Sequence, residues 1–283
     1  MLTLTLVIPV FNEEHQIKGC LDAVASQTVM PDEVIVVDNN CTDRTIEIAQ
    51  KCPFVTVITE KNQGRGHARS AGFNATKSEI IGRIDADSRI EPDWVEQVKK
   101  RFEDDSNLSG LTGIGKTTTI PFVEAFQTSL FSRSYYWFVH SAFRTITMWG
   151  ATMAIRKSAW KLVEQKVIND DSKVHEDQDL SLWIAANGGK IIQDNSVIIK
   201  TDGQTYRYLP KFFHYRKLFF QTKKIHINNG NLTRKIKLLS VRSTIIGRIF
   251  SFFAGTYLIL LSIIFFPLDY YMMRKLGKKE WLK

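Results

Sequence analysis

The first hundred residues alternate between short apolar runs and segments that carry apolar side chains at helical spacing. Strands are predicted at residues 2–8, 33–37, 55–58 and 80–84. Residues such as Ile17, Leu21 and Val24 continue the pattern with the spacing of an amphipathic helix. Apolar strands joined by helices form parallel sheets that are covered on both faces. The pattern therefore predicts an α/β domain whose ligands bind at the carboxyl ends of the strands.

The middle of the chain predicts further elements of the same domain. Pro92 is placed to open a helix, because proline fits the first turn. We predict a strand at Met148 to Ile155, a helix at Glu176 to Asn187 and a last strand at Ile191 to Ile199. These boundaries assign residues 1–200 to one catalytic domain.

The charge of the chain points to an anionic partner. The 283 residues carry a net charge of +9, and the basic residues are dense after Arg207, where they alternate with aromatic side chains. This mixture suits a membrane surface better than a nucleic acid, so we expect no nucleic-acid partner. Residues 201–244 are accordingly predicted to form basic, aromatic interfacial helices.

The last forty residues contain an uncharged stretch. Ile249 to Leu268 is about twenty residues long, which suffices to cross a hydrocarbon core. Basic residues flank both sides, so a spanning helix and a re-entrant hairpin stay open. Residues 245–283 are thus predicted to be a membrane segment with a basic tail. The expected location is the cytoplasmic face of the cell membrane.

Two aspartates end the fourth predicted strand. Strand alternation places Asp85 and Asp87 on one face at the ligand-binding edge. Two carboxylates that share a site with substrate phosphates are the usual ligands of Mg²⁺ or Mn²⁺. The alternative is an ordinary turn, in which aspartate is common.

A second acidic cluster, residues 175–179, precedes an apolar helical stripe. Its carboxylates would complement the helix dipole, and one of them would be placed to take a proton from an acceptor hydroxyl. We assign the base to Asp177 and the helix cap to Asp179.

Five segments in order resemble the landmarks of family-2 inverting glycosyltransferases with the GT-A fold. They are residues 5–14, 36–45, 62–69, 85–87 and 176–177. The resemblance implies a Rossmann-like, mostly parallel sheet with flanking helices, a divalent metal, and a nucleotide-sugar donor, for which a UDP-sugar is favoured. The acids at residues 176–177 favour a hydroxyl group as the acceptor. The aromatic stretch at Phe131 to Phe143 and the basic tail would place the site near the bilayer, so we expect a lipid-linked or cell-envelope glycan acceptor.

The resemblance also implies roles for individual residues. Donor contacts would be Pro9, Asn12, Glu13, Asp38, Arg69, Asp85 and Arg207. Acceptor-side residues would be Trp149, Gly150 and Glu176. The loop at Asn62 to Gly66 resembles the family's loop under the donor, where backbone amides would meet phosphate. Asn39, Asn40 and Asp43 are interpreted as turn and cap residues instead.

Three alternatives remain at this stage. A polyprenyl-phosphate acceptor would need no base, since its phosphate is already ionised. A nucleotidyltransferase would share the sheet and the metal carboxylates, but the segment from Val7 to Glu14 has no glycine. A nucleotide-binding protein without catalytic activity would retain the fold alone.

Overall fold

The computed structural model describes residues 2–117, 143, 145–201 and 209–231. Arg207, the aromatic stretch at Phe131 to Phe143 apart from Phe143 itself, and the apolar stretch Ile249 to Leu268 lie outside these residues.

The described residues form one eight-stranded sheet with helices on both faces. The strands are β1 (Leu4–Val10), β2 (Glu33–Asp38), β3 (Val55–Thr59), β4 (Ile80–Ile84), β5 (Arg89–Ile90), β6 (Leu108–Thr117), β7 (Thr152–Arg156) and β8 (Lys190–Thr201). The helices are α1 (Ile17–Ala25), α2 (Thr45–Gln50), α3 (Arg65–Ala75), α4 (Trp94–Asp104), α5 (Lys157–Val163), α6 (Glu176–Ala186) and α7 (Leu209–Asn228). In space the strands run in the order β3-β2-β1-β4-β7-β6-β8-β5.

The first four strands are parallel, as the sequence predicts. β1 pairs with β2 and β4, and β2 pairs with β3, all in the same direction. β1 is buried on both faces, because Leu6 and Ile8 join one apolar cluster while Val7 joins the other. The carboxyl ends of these strands therefore meet at one edge of the sheet.

The predicted, mostly parallel arrangement continues in the second half of the sheet, where β6 and β8 pair in the same direction, but two strands there are reversed. β7 lies antiparallel between β4 and β6, and β5 is antiparallel to β8. A buried strand has the same apolar pattern in either direction, so its orientation could not be predicted. The reversal matters, because the pairing of Ile84 with Thr152 brings the start of β7 to the carboxyl end of β4.

Several boundaries also differ from prediction. β7 begins at Thr152 rather than Met148, and α4 begins at Trp94, with Pro92 just ahead of its N-cap. β6 and α5 were not predicted. β6 contains glycines at positions 110, 113 and 115, which dilute the apolar signal of a strand.

Helix α7 packs against α6 through a buried polar contact. His226 Nε2 lies 2.8 Å from Asp179 Oδ1, and neither side chain is exposed to solvent. The other oxygen of Asp179 accepts a hydrogen bond from the backbone N–H of Ile168. The prediction that Asp179 caps α6 is therefore wrong: the carboxylate ties α7 and the preceding loop to the helix. None of the helices that the structure describes is both long and apolar enough to cross a membrane.

We expect Asp179→Asn to destabilise the protein by about 1 to 3 kcal/mol, because a buried acceptor would be replaced by a group with a donor in the wrong place. Urea unfolding measures this change. Asp22→Asn is the matched control, since Asp22 forms an exposed pair with Lys18 in α1 and its loss should change little. Equal unfolding midpoints for both variants would contradict this role of Asp179.

Candidate active site

Polar residues cluster after the carboxyl ends of β1, β2 and β4. Asn12 follows β1 with a φ of 55°, and its side-chain oxygen accepts a 2.8 Å hydrogen bond from the backbone N–H of Thr42. Asp38 ends β2, where one carboxylate oxygen accepts a 2.9 Å hydrogen bond from Cys41 N–H. Pro9 lies within β1, opposite Val37, and the N–H of Glu13 donates to the hydroxyl of Thr45. The loops after β1 and β2 are therefore hydrogen-bonded to each other, beside the residues that were predicted to contact the donor.

Asn39 connects the loop after β2 to the loop after β3 by hydrogen bonds. Its amide nitrogen donates to the carbonyl oxygens of Glu60 and Asn62, and its oxygen accepts from Gly64 N–H at 2.8 Å. Asn40 has a φ of 67° and donates to Lys61. Asp43 binds the N–H and hydroxyl of Thr45 at the start of α2. The interpretation as turn and cap residues is therefore only partly right: Asn39 makes long-range contacts, and the N-cap of α2 is Arg44 with no side-chain cap.

Asp85 and Asp87 follow directly after β4. The Asp85 side chain is 42% exposed, and one of its oxygens accepts a 3.0 Å hydrogen bond from Arg83 Nη2. Asp87 is partly buried. Among the described residues, no group of three or more His, Cys, Asp or Glu side chains is arranged to hold a metal by itself.

Glu176 lies between two buried arginines. Its Oε1 is 2.5 Å from Arg83 Nη1, and its Oε2 is 2.6 Å from Arg69 Nη1. All three side chains are at most 4% exposed. Because Arg83 also contacts Asp85, a continuous line of charged contacts runs from Arg69 through Glu176 and Arg83 to Asp85. This line joins the start of α6 to the end of β4.

The charges along this line shift the pKa values of its members. Burial alone would raise the pKa of Glu176, but Arg83 and Arg69 outweigh it and hold that pKa below its usual range. Burial would likewise lower the pKa of Arg83, and the carboxylates of Glu176 and Asp85 raise it instead. Glu176 is therefore a structural anion between two cations, which suits it to position its neighbours.

Arg69 was predicted to contact the donor. Its side chain is fully buried, and besides Glu176 it contacts Asn169 at 3.2 Å. The direct contact with Asp85 is made by Arg83, which the sequence reasoning missed. A charged residue inside an otherwise apolar, buried strand is the signal that could have identified Arg83, because buried charges are almost always paired.

Asp177 is the next residue along α6, and both of its oxygens have partners. Oδ2 accepts a 2.9 Å hydrogen bond from the backbone N–H of Gly150. Oδ1 lies 2.5 Å from His175 Nδ1, a contact that becomes an ion pair when the imidazole is protonated. Burial would raise the pKa of Asp177, but His175 and the Gly150 N–H outweigh it and hold that pKa well below its usual range.

Gly150 is required by a close approach to Arg83. A Cβ atom at position 150 would lie 2.3 Å from Arg83 Nη1, closer than any real contact. The neighbouring Trp149 is partly buried, and its backbone N–H donates to Thr112 Oγ1. The turn just before β7 thus contacts both the arginine of the charged line and the carboxylate of Asp177.

The amides at the start of α3 have a partner within the chain. The N–H groups of Arg65 and Gly66 donate to the two oxygens of Asp171 at 2.6 and 3.1 Å. The expectation that these amides meet a donor phosphate is therefore not met in this structure, where a carboxylate already satisfies the helix N-terminus. Asp171 lies more than a hundred residues away in sequence, and no local pattern indicated this contact.

We expect Glu176→Gln to cost about 3 to 5 kcal/mol in the free energy of unfolding, because two buried guanidinium groups would lose their anion. The pKa of Glu176 is lowered in the folded protein, so the carboxylate stabilises the fold above its ordinary pKa. That contribution is lost as the pH falls through the depressed value. Urea unfolding between neutral and acidic pH measures both effects.

Glu47→Gln is the control, since Glu47 forms an exposed pair with Lys51 in α2. A stability difference between wild type and Glu176→Gln that grows on acidification would contradict the assignment of Glu176 as a buried anion.

Comparison with known proteins identifies relatives that match somewhat more than a third of the chain. EpsH of Bacillus subtilis is 34% identical over 108 residues, which is 37% of this chain and 31% of EpsH. The chondroitin synthase of Pasteurella multocida is 33% identical over 109 residues, 37% of this chain and 11% of that protein. The matched segments therefore span less than a third of these relatives' own lengths.

Solved structures share the fold at low sequence identity. A mannosyltransferase from Pyrobaculum calidifontis, in complex with GDP-Man and Mn²⁺, has a TM-score of 0.59 at 18% identity and covers 100% of this chain and 88% of its own. Glucosyl-3-phosphoglycerate synthase from Mycobacterium tuberculosis, in complex with Mn²⁺ and UDP, has a TM-score of 0.55 at 17% identity, over 78% of this chain and 80% of its own. The mixed sheet with flanking helices is thus the fold of these GT-A enzymes.

The family model described as glycosyl transferase family 2 matches residues 5–169, more than half of the chain. This match includes β1 to β7, the loops that follow β1, β2 and β4, and the aspartates after β4. The chain belongs to glycosyl transferase family 2.

Proposed function

We propose that this protein is a metal-dependent, inverting glycosyltransferase that moves a sugar from a nucleotide-sugar donor to a hydroxyl acceptor. The observation that carries the proposal is the line of buried charges between Asp85 and Glu176. It fixes the distance between Asp85, whose carboxylate suits a metal ligand on the donor side, and Asp177, whose carboxylate suits a base on the acceptor side. Such a fixed geometry is what a reaction between two bound substrates requires.

The donor side fits a hard divalent cation. Asp85 is an exposed carboxylate at the carboxyl end of a parallel strand, and Asp87 follows it two residues later. One or two carboxylates are enough for Mg²⁺ or Mn²⁺ when substrate phosphates and water supply the other ligands. The solved relatives named above are bound to Mn²⁺. When bound, the cation would neutralise charge on the diphosphate leaving group.

The nucleotide is proposed to lie against the first two loops. Pro9, Asn12, Glu13 and Asp38 surround the carboxyl ends of β1 and β2, where ligands of open α/β sheets bind. Relatives bind either GDP-Man or UDP, and a UDP-sugar remains our preferred donor. Arg207 is proposed to balance the leaving diphosphate.

On the acceptor side, Asp177 is proposed to take the proton of the attacking hydroxyl. The acceptor oxygen then forms a bond to the anomeric carbon while the bond from that carbon to the diphosphate breaks on the opposite face. One such displacement inverts the anomeric centre. Trp149, Gly150 and Glu176 hold this region together, because Gly150 N–H binds Asp177 and Glu176 anchors the same helical turn.

The acceptor is proposed to be lipid-linked or part of a cell-envelope glycan, and the protein to act at the cytoplasmic face of the cell membrane. This part rests on sequence: residues 201–244 are basic and aromatic, and residues 245–283 contain the uncharged stretch. Residues 1–200 would then form the catalytic domain above the membrane surface.

The assay for this function is the release of nucleoside diphosphate by the full-length protein in membranes, with a panel of nucleotide sugars and acceptors. We expect chelation to abolish release and Mn²⁺ or Mg²⁺ to restore it. Asp177→Asn should lower kcat by about 10²- to 10⁴-fold, the usual contribution of a general base, while donor binding is retained.

Asp22→Asn, the same chemical change on an exposed face of α1, should keep wild-type activity. Full activity of Asp177→Asn would refute the assignment of the base, and release of pyrophosphate would refute glycosyl transfer.

The membrane proposal has its own test. Replacing Leu258 and Ile263 with arginine should move the protein from the carbonate-washed membrane fraction to the supernatant, because each charge in the apolar stretch opposes insertion by about 2.5 to 3.5 kcal/mol. Replacing both with methionine should leave the distribution unchanged. If the arginine variant stays in the membrane, the apolar stretch is not the anchor.

A further inference from the structure

Helix α6 carries two histidine–aspartate contacts of different character. His226 and Asp179 are both fully buried. Asn231 Nδ2 lies 2.7 Å from His226 Nδ1, the ring nitrogen that does not face Asp179. The second contact joins His175 Nδ1 and Asp177 Oδ1 at 2.5 Å, with side chains that are 18% and 7% exposed. The first pair is sealed inside the fold. The second lies beside the proposed acceptor position, and its imidazole is the more accessible partner.

The backbone holds His175 in place independently of its ring. Its N–H donates to Thr222 Oγ1 in α7 at 2.8 Å, and the ring lies 5.3 Å from the ring of Tyr215 in the same helix. Tyr215 also accepts a 3.0 Å hydrogen bond from Arg65 at the start of α3. His175 is therefore held against α7, which α3 contacts in turn, while its ring faces Asp177.

In this environment Asp177 is poorly suited to keep a proton. Its pKa is held well below its usual range despite burial, chiefly by His175 and the Gly150 N–H. The pKa of the His175 imidazole shifts in the opposite direction. Burial would lower the pKa of His175, but the charge of Asp177 outweighs it, with Glu176 adding and Arg65 opposing, so that this pKa is raised. A proton delivered to this pair therefore rests on the imidazole.

We propose that His175 is the proton-holding partner of Asp177, so that the pair, rather than the carboxylate alone, takes up the proton of the acceptor hydroxyl. The proposal rests on the function proposed above and deepens its acid–base step. His175 acts through Asp177 and is a positioning residue rather than a group that touches the substrate.

The proton transfer begins at the acceptor hydroxyl. The acceptor O–H bond breaks, and its proton forms an O–H bond with Asp177. The electron pair that is left on oxygen forms the bond to the anomeric carbon, and the departing diphosphate takes the pair of the broken bond. The proton then moves from Asp177 to Nδ1 of the neutral imidazole, whose own proton is on Nε2, and this restores the carboxylate. The resulting imidazolium releases one proton to water and becomes neutral again.

This arrangement predicts the direction of the pH dependence. At a pH below the raised pKa of His175 the pair already holds its proton and cannot take another. Activity should therefore fall as the pH drops through that value and be complete above it. The carboxylate on its own would stay ionised over the same range and would give no such decline.

His175→Asn tests this directly. The amide nitrogen of asparagine can occupy the position of Nδ1 and donate to Asp177, but it takes up no proton. We expect kcat to fall by about 10- to 100-fold, within the range of acid–base contributions, and the decline at acidic pH to disappear. A purely structural role would instead leave the variant with the wild-type pH profile.

His226→Asn is the matched control, because it makes the same change in the sealed pair of the same helix. We expect a lower melting temperature and an unchanged pH profile. If His175→Asn keeps the acidic decline, or if His226→Asn removes it, the proposal is overturned.

A measurement without turnover separates this proposal from the function itself. NMR titration of the His175 ring should give a pKa above the usual histidine value in the wild type and a lower one in Asp177→Asn. Equal values in the two proteins would overturn the pairing even if sugar transfer is found. Absence of transfer with every donor would refute the proposed function while the titration still reports on the pair.

Discussion

The position of Glu176 between Arg69 and Arg83 is the interaction on which the arrangement of the site depends. Three charged side chains with almost no exposure are stable only because each has its partner at hydrogen-bond distance. Arg69 comes from α3, Arg83 from β4 and Glu176 from α6, so the contacts join three elements distant in sequence. They hold the start of α6, and with it Asp177, against the carboxyl end of β4.

The antiparallel insertion of β7 completes this arrangement. It brings Gly150 beside Arg83, where a larger residue would collide with the guanidinium group, and points the Gly150 N–H at Asp177. The parallel half of the sheet thus supplies the loops proposed to bind the donor. The turn before the reversed strand supplies the contacts around Asp177, on the proposed acceptor side. A single glycine therefore serves both the packing of the charged line and the orientation of Asp177.

The sequence predicted the parallel half of the fold well, because β1 to β4 are apolar runs bounded by clear turn and cap residues. It also placed Asp85, Asp87, Glu176 and Asp177 at the ends of the correct elements. It missed the direction of β7, since an apolar run carries no direction. It misassigned Asp179 as a cap, because an acid in a first helical turn has the same local pattern whether it faces solvent or a distant histidine. The partners of Arg83 and Asp171 are tertiary contacts that no local spacing encodes.

The central claim is inverting transfer, with attack and departure on opposite faces of one sugar. The most direct measurement is the anomeric configuration of the first product, read from the proton coupling of the new glycosidic centre by NMR. A donor with an α-linked sugar should yield a β-linked product before any further processing. A product that retains the α configuration would contradict the account, because retention requires two displacements or a same-face attack that Asp177 does not serve.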